Sequence, residues 1–114
     1  LVNRRPPRSS AELARLRAEI DELDRRLVRL MNERADLTVA VGREKAALGR
    51  RAIRDRERER EVLLRVTMAN AGPLPQADIL AIYRRLIASA RALEAAERDR
   101  LRRGEDGPSE PPGA

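Results

Sequence analysis

From Leu13 onward the chain places an apolar residue at nearly every third or fourth position: Leu13, Leu16, Ile20, Leu23, Leu27, Leu30, Leu37, Val41 and Leu48. Steps that alternate between three and four keep these side chains on one side of a helix, the seam of a heptad pattern. Ser9 followed three residues later by Glu12 is a capping box, which predicts a helix from Ser10. No proline interrupts the pattern before Gly49, which supplies a C-terminal stop. A helix over 10–48 is roughly 58 Å long at about 1.5 Å per residue. A compact globule of this size has a radius of gyration of about 13 Å. The rest of the chain cannot cover such a rod, so the pattern predicts a helical dimer. Gly42 is the weak point of the helix, at a cost of about 1 kcal/mol relative to alanine. It is either tolerated strain or a point of close approach by a ligand or helix.

After a short basic connection, Arg50 to Arg54, Asp55 is placed to cap a second helix running to about Asn70, with Gly72 and Pro73 closing it. Its buried stripe is Val62, Leu63 and Val66. Beyond Pro75 a third helix is predicted to about Arg103, from Ile79, Tyr83, Leu86, Ile87, Ala90 and Leu93. The expected fold class is all-α, three helices per chain with a very long first helix. The expected organisation is a basic arm over 1–8, a helical domain over 9–103, and a tail over 104–114 whose composition (GEDGPSEPPGA) predicts disorder.

Composition narrows the chemistry. Tyr83 is the sole aromatic residue, so a core must be built from Leu, Ile, Val and Ala, which helices can do. The absence of cysteine and histidine removes disulfides, most zinc chemistry and the usual general base. No metal and no cofactor is expected. No stretch approaches the ~18 apolar residues of a membrane span, and no signal-peptide pattern opens the chain. The expectation is a cytoplasmic protein with no membrane contact. The net charge of +6 raises the question of nucleic acid. Yet residues 9–97 carry 18 basic and 15 acidic side chains, an excess of only three. Mixed charge at helical spacing is ordinarily a solvated face, so no nucleic-acid partner is expected.

Several charges stand where apolar residues belong. Arg34 occupies the heptad seam itself, between Leu27 and Val41. Lys45, eleven residues later, comes within about 20° of the same face and roughly 16 Å further along the axis. Two such cations could clasp a small dianion. Lys45 is also the single lysine among 25 basic side chains, which suggests a task for a compact point charge that the planar guanidinium does not perform. On the second helix Asp55 and Glu59 are one turn apart, flanking Arg58 and continuous with the apolar stripe; such pairs are usually surface charges. On the third, Glu94 follows Ile87 by seven and Ala90 by four, and so lies in the apolar stripe. An unpaired buried carboxylate is costly. Ionisable groups on the inward faces of all three helices suit a polar pocket inside a bundle.

The segments LRAEIDELDRRLVRLMNERADLTVAVGREKAALG, IRDRERE and the later ALE resemble the all-helical chorismate mutases. The likeness covers about residues 13 to 96, through the runs LRxxIDxLDxxLxxLxxxR and VGxxK and an RDxxRE-like element. It implies an intertwined homodimer acting on chorismate, with Arg17 contributed in trans to the partner's site. Arg17 lies about 100° around the helix from Arg34, consistent with their serving different sites. By the same resemblance Arg34 and Arg58 would bind substrate carboxylates, and Lys45 a carboxylate and the ether oxygen. Glu59, assisted by Asp55, would receive the ring hydroxyl, and Glu94 would face the ether oxygen. Some members carry a serine four residues before that last position, where this chain has Ala90.

The implied reaction, chorismate to prephenate, is pericyclic and requires no nucleophile, base, metal or cofactor. It suits a chain without histidine or cysteine. The catalyst must hold a flexible dianion in its folded conformer and stabilise charge developing on the ether oxygen. Three alternatives remain at this level. One is an isochorismate–pyruvate lyase of the same fold. The second is a non-catalytic regulatory helical module that binds a ligand or a partner enzyme. The third is a basic coiled coil on nucleic acid.

Overall fold

A computed structural model describes residues 9–50 and 54–104. The arm over 1–8, residues 51–53 of the basic connection, and the tail beyond Gly104 lie outside the described residues. Three helices follow one another: α1 (Ser10–Ala47), α2 (Arg56–Ala69) and α3 (Gln76–Arg102). Each ends within a residue or two of the position its sequence signals predict. The chain divides into two compact units, Leu1–Arg34 and Ala35–Ala114. That division has no counterpart in the sequence, because a heptad pattern carries no mark of where intrachain packing starts.

In the first unit, α1 opens as the capping box requires: Ser9 Oγ accepts from the Glu12 N–H at 3.1 Å. Pairs along its surface, Arg15 with Glu19 and Arg25 with Glu22, both at 2.8 Å, add a few tenths of a kcal/mol each. The seam itself is bare. Ile20, Leu23, Leu27 and Leu30 are all exposed, Leu30 by 60%. Helices are only marginally stable in water without packing of the apolar face. These residues form a good helix that lacks a cover.

The second unit holds the C-terminal part of α1 together with α2 and α3. Thr38, Gly42 and Lys45 recur at steps of four and three, and these are the residues of α1 that become buried. On α3 the buried residues are Ile87, Glu94 and Glu97, at steps of seven and three. Among the described residues Ile87 is the only large apolar side chain that is buried, and the other buried side chains are polar or charged. The predicted α2 stripe of Val62, Leu63 and Val66 is half-buried.

Local sequence fixes the ends of these segments. Gly49 takes a φ of 71°, and its N–H donates to Ala46 O while Arg50 N–H reaches back to Lys45 O. That pair of bonds is the Schellman arrangement that left-handed glycine permits. Asp55 caps α2 by accepting from the Arg58 N–H at 3.0 Å. Between α2 and α3, Asn70 donates to Leu74 O and Gln76 Oε1, while Gln76 donates to Thr67 O. These contacts hold the short turn that sets α3 back alongside α2.

Gly42 is a point of close helix approach. A Cβ there would lie 3.2 Å from the Cα of Glu94 and 3.6 Å from its Cβ. The obstacle is backbone and cannot swing aside. Gly42→Ala gains about 1 kcal/mol of helix propensity, but overpacking typically costs about 1–3 kcal/mol. A net loss of about 1 kcal/mol is therefore expected, read as a lower midpoint in urea or thermal unfolding.

Candidate functional site

Where α3 comes close to α1 at Gly42, two opposite charges meet. One turn beyond Gly42, Lys45 Nζ donates to Glu94 Oε1 at 2.6 Å. Both side chains are 11% exposed. Glu94 can reach Lys45 because glycine at position 42 lets the Glu94 backbone come so near α1. A buried pair of this kind does little for stability, since desolvation of the two ions offsets much of their attraction. Apolar residues of equal volume would hold the helices together as well. What the pair does provide is a fixed donor and a fixed acceptor in a place largely closed to water, where such groups act strongly on a ligand's charge.

A second contact joins α2 to α3. Arg91 Nη1 donates to Glu59 Oε2 at 2.8 Å, and the Glu59 side chain is 16% exposed. Its other oxygen lies 3.4 Å from Arg54 Nε. Asp55, one turn earlier, is engaged in capping α2 and lies 4.0 Å from Arg50. Arg58 is more than half exposed and pairs with Glu61 of its own helix at 3.1 Å. The structure therefore brings Lys45 and Glu94 into direct contact and gives Glu59 a salt-bridged, sheltered setting. It does not pair Arg58 with any of them. Arg17 and Arg34 stand on α1 in the first unit, Arg17 exposed and Arg34 half-buried.

One cluster was not anticipated. Glu97, the most buried of the described charged residues, accepts from Arg100 at 2.7 Å and from Arg43 Nε. The Arg100 hydrogen bonds, opposed by desolvation and reinforced by Arg43, lower the Glu97 carboxyl from 4.5 to about 2. The signal was present: Ile87, Ala90, Glu94 and Glu97 continue one stripe of α3, which the apolar pattern alone stops at Leu93. Arg91, the partner of Glu59, was likewise missed, because a single arginine among 24 has no distinguishing mark.

The depressed Glu97 value sets a testable pH dependence. A folded-state value below the unfolded one contributes stability that is complete above 4.5 and disappears as pH falls toward about 2. With Arg43 more than a third exposed, solvent screening limits the gain to about 1–2 kcal/mol. The stability difference between wild type and Glu97→Gln is expected to be constant above about pH 5 and to vanish near pH 2. Melting curves of both proteins across that range check it.

The sequence matches the family described as chorismate mutase type II over residues 16–95. The chain belongs to the chorismate mutase type II family. That match takes in Arg17, Arg34, Lys45, Asp55, Arg58, Glu59 and Glu94, and leaves Glu97 and Arg100 outside it. Among curated relatives, the bifunctional chorismate mutase/prephenate dehydratase of Aquifex aeolicus is 38% identical over 87 residues. That stretch is 73% of this chain and 24% of the relative. The protein of the same name from Neisseria gonorrhoeae is 37% identical over 78 residues, 68% of this chain and 21% of that one. The chain thus spans about a quarter of the length of these relatives. A solved chorismate mutase (form II) from Thermus thermophilus superposes with a TM-score of 0.69 at 32% identity, over 73% of this chain and 93% of that one. The all-helical fold expected for the family is the one found. Among the described residues, no helix is long and apolar enough to cross a membrane, and no group of three His, Cys, Asp or Glu is placed to hold a metal.

Proposed function

We propose that this chain converts chorismate to prephenate, as a homodimer in which each site is completed by Arg17 of the partner. The observation that carries the reading is the buried contact of Lys45 with Glu94, at family-matching positions on two helices held together by Gly42. Chorismate presents two carboxylates, an ether oxygen at the breaking bond and a ring hydroxyl. Lys45 supplies a compact cation for a carboxylate and the ether oxygen. Glu94, facing the same oxygen, accepts from Lys45 and holds its ammonium in place. Glu59 offers a carboxylate for the hydroxyl, while Arg34, Arg58 and the partner's Arg17 answer the negative charges. Nothing in this set needs to form a bond or move a proton along the reaction coordinate. Binding the folded conformer and stabilising the charge that develops on the ether oxygen are sufficient.

Dimerisation is supported by the bare seam of the first unit, where Leu13, Ile20, Leu23, Leu27 and Leu30 face outward. Sedimentation at micromolar concentration is expected to report about twice the chain mass. A cytoplasmic location belongs to the same reading and is open to cell fractionation.

The test is an assay following loss of chorismate and appearance of prephenate, run beside isochorismate with pyruvate as the product sought. Turnover of chorismate supports the mutase. Pyruvate release from isochorismate alone would favour the lyase, and binding without turnover would favour a regulatory module. Glu94→Gln keeps an oxygen that can accept from Lys45 and adds an N–H donor, and is expected to retain activity within about tenfold, whereas Glu94→Ala loses about a hundredfold or more. Initial rates at saturating chorismate check the pair.

A further inference from the structure

The Arg91 contact with Glu59 has a geometry that a plain helix-to-helix strap would not require. Arg91 reaches from α3 to α2 and binds one oxygen of Glu59, Oε2, at 2.8 Å. The other, Oε1, faces Arg54 Nε at 3.4 Å, beyond the ordinary range of an N–H···O hydrogen bond. The carboxylate is thereby turned about one strong contact, leaving Oε1 with the weaker partner. Arg91 is also three residues before Glu94, so one turn of α3 steers Glu59 and carries the residue that meets Lys45.

We propose that Arg91 is a positioning residue for substrate recognition: by holding Glu59 Oε2 it presents Oε1 as the acceptor for the ring hydroxyl of chorismate. This rests on the mutase reading above, in which Glu59 is the hydroxyl acceptor. A glutamate has three rotatable side-chain torsions, and fixing them on binding opposes association. The charge-assisted bond from Arg91 imposes that order before the substrate arrives. Arginine is suited to this because its planar fork is preorganised and always charged. The alternative is a strap that merely joins α2 to α3. A strap supports every substrate equally, whereas a positioning residue matters only for a substrate that owns the hydroxyl.

The experiment compares kcat/KM for chorismate with kcat/KM for an analogue bearing hydrogen in place of the ring hydroxyl. Wild type, Arg91→Ala, Arg91→Gln and Arg91→Lys are each measured on both compounds. The ratio of the two constants within one preparation is independent of how much of the protein is folded. Arg91→Ala is expected to lose about tenfold on chorismate and less than about twofold on the analogue, the scale of one charge-assisted hydrogen bond. Arg91→Lys is expected to recover part of the lost ratio. If Arg91→Ala does not fold, Arg91→Gln, which keeps an amide donor without charge, is expected to shift the ratio in the same direction. An unchanged ratio in the folded variants, or equal losses on both compounds, overturns the role of Arg91 while leaving the mutase reading intact. A wild-type protein that turns over neither compound removes the mutase reading and this inference with it.

Discussion

Lys45→Arg is expected to lose about a hundredfold or more in turnover while the helical signal and melting temperature change little. Charge is conserved in this substitution, so a simple electrostatic account predicts almost no effect. The geometry predicts otherwise. Lys45 is buried and its Nζ meets Glu94 Oε1 at 2.6 Å, in the narrow space that Gly42 opens between α1 and α3. A guanidinium is wider, spreads its charge over a plane, and directs its donors along fixed diverging lines. It can still pair with the carboxylate, which preserves the fold. It cannot also aim one donor at a single ether oxygen. Single-turnover kinetics with chorismate measure the effect, and near wild-type rates would return the lone lysine to accidental retention in an arginine-rich chain.

Mixing two inactive proteins is expected to restore activity. Arg17→Ala and Lys45→Ala homodimers each carry one lesion in every site and should be at least about a hundredfold impaired. If Arg17 acts in trans, a heterodimer collects both lesions in one site and leaves the other intact. Random reassortment after unfolding and refolding makes about half of the dimers mixed, so about a quarter of all sites should regain full activity. Exposure of Arg17 on the first unit is compatible with its serving a partner. Verified heterodimers with no recovered turnover would put both residues in the same site and remove the trans assignment.

Much of this arrangement was legible because local rules and the global fold agree. Ser9, Gly49 and Asp55 behave as their positions require, since capping depends on a few neighbouring backbone groups that sequence spacing fixes. Glu94 stood out because a carboxylate in an apolar stripe has to be explained by a partner, and Lys45 is that partner. Gly42 offered two readings, and the approach of Glu94's backbone decides for packing. The pairing of Glu59 with Arg91 and of Glu97 with Arg43 was not legible. Both depend on how far one helix slides along another, which no periodicity within a single helix records. Arg58 shows the same limit. Its place in the sequence motif is clear, yet its side chain lies along α2 beside Glu61.

The interior of the second unit has a consequence for how this protein can change. Thr38, Lys45, Glu94 and Glu97 occupy ground that in most small domains belongs to leucine and valine, with Ile87 as their one buried apolar companion among the described residues. Two of these four, Lys45 and Glu94, belong to the candidate site, so the site and the structural core overlap. Elsewhere, filling the centre of a domain with hydrocarbon is a ready route to greater thermal resistance. Here that route runs partly through residues of the candidate site. Adaptation to heat must instead come from the periphery: helix caps, the connections between helices, and the long seam of α1.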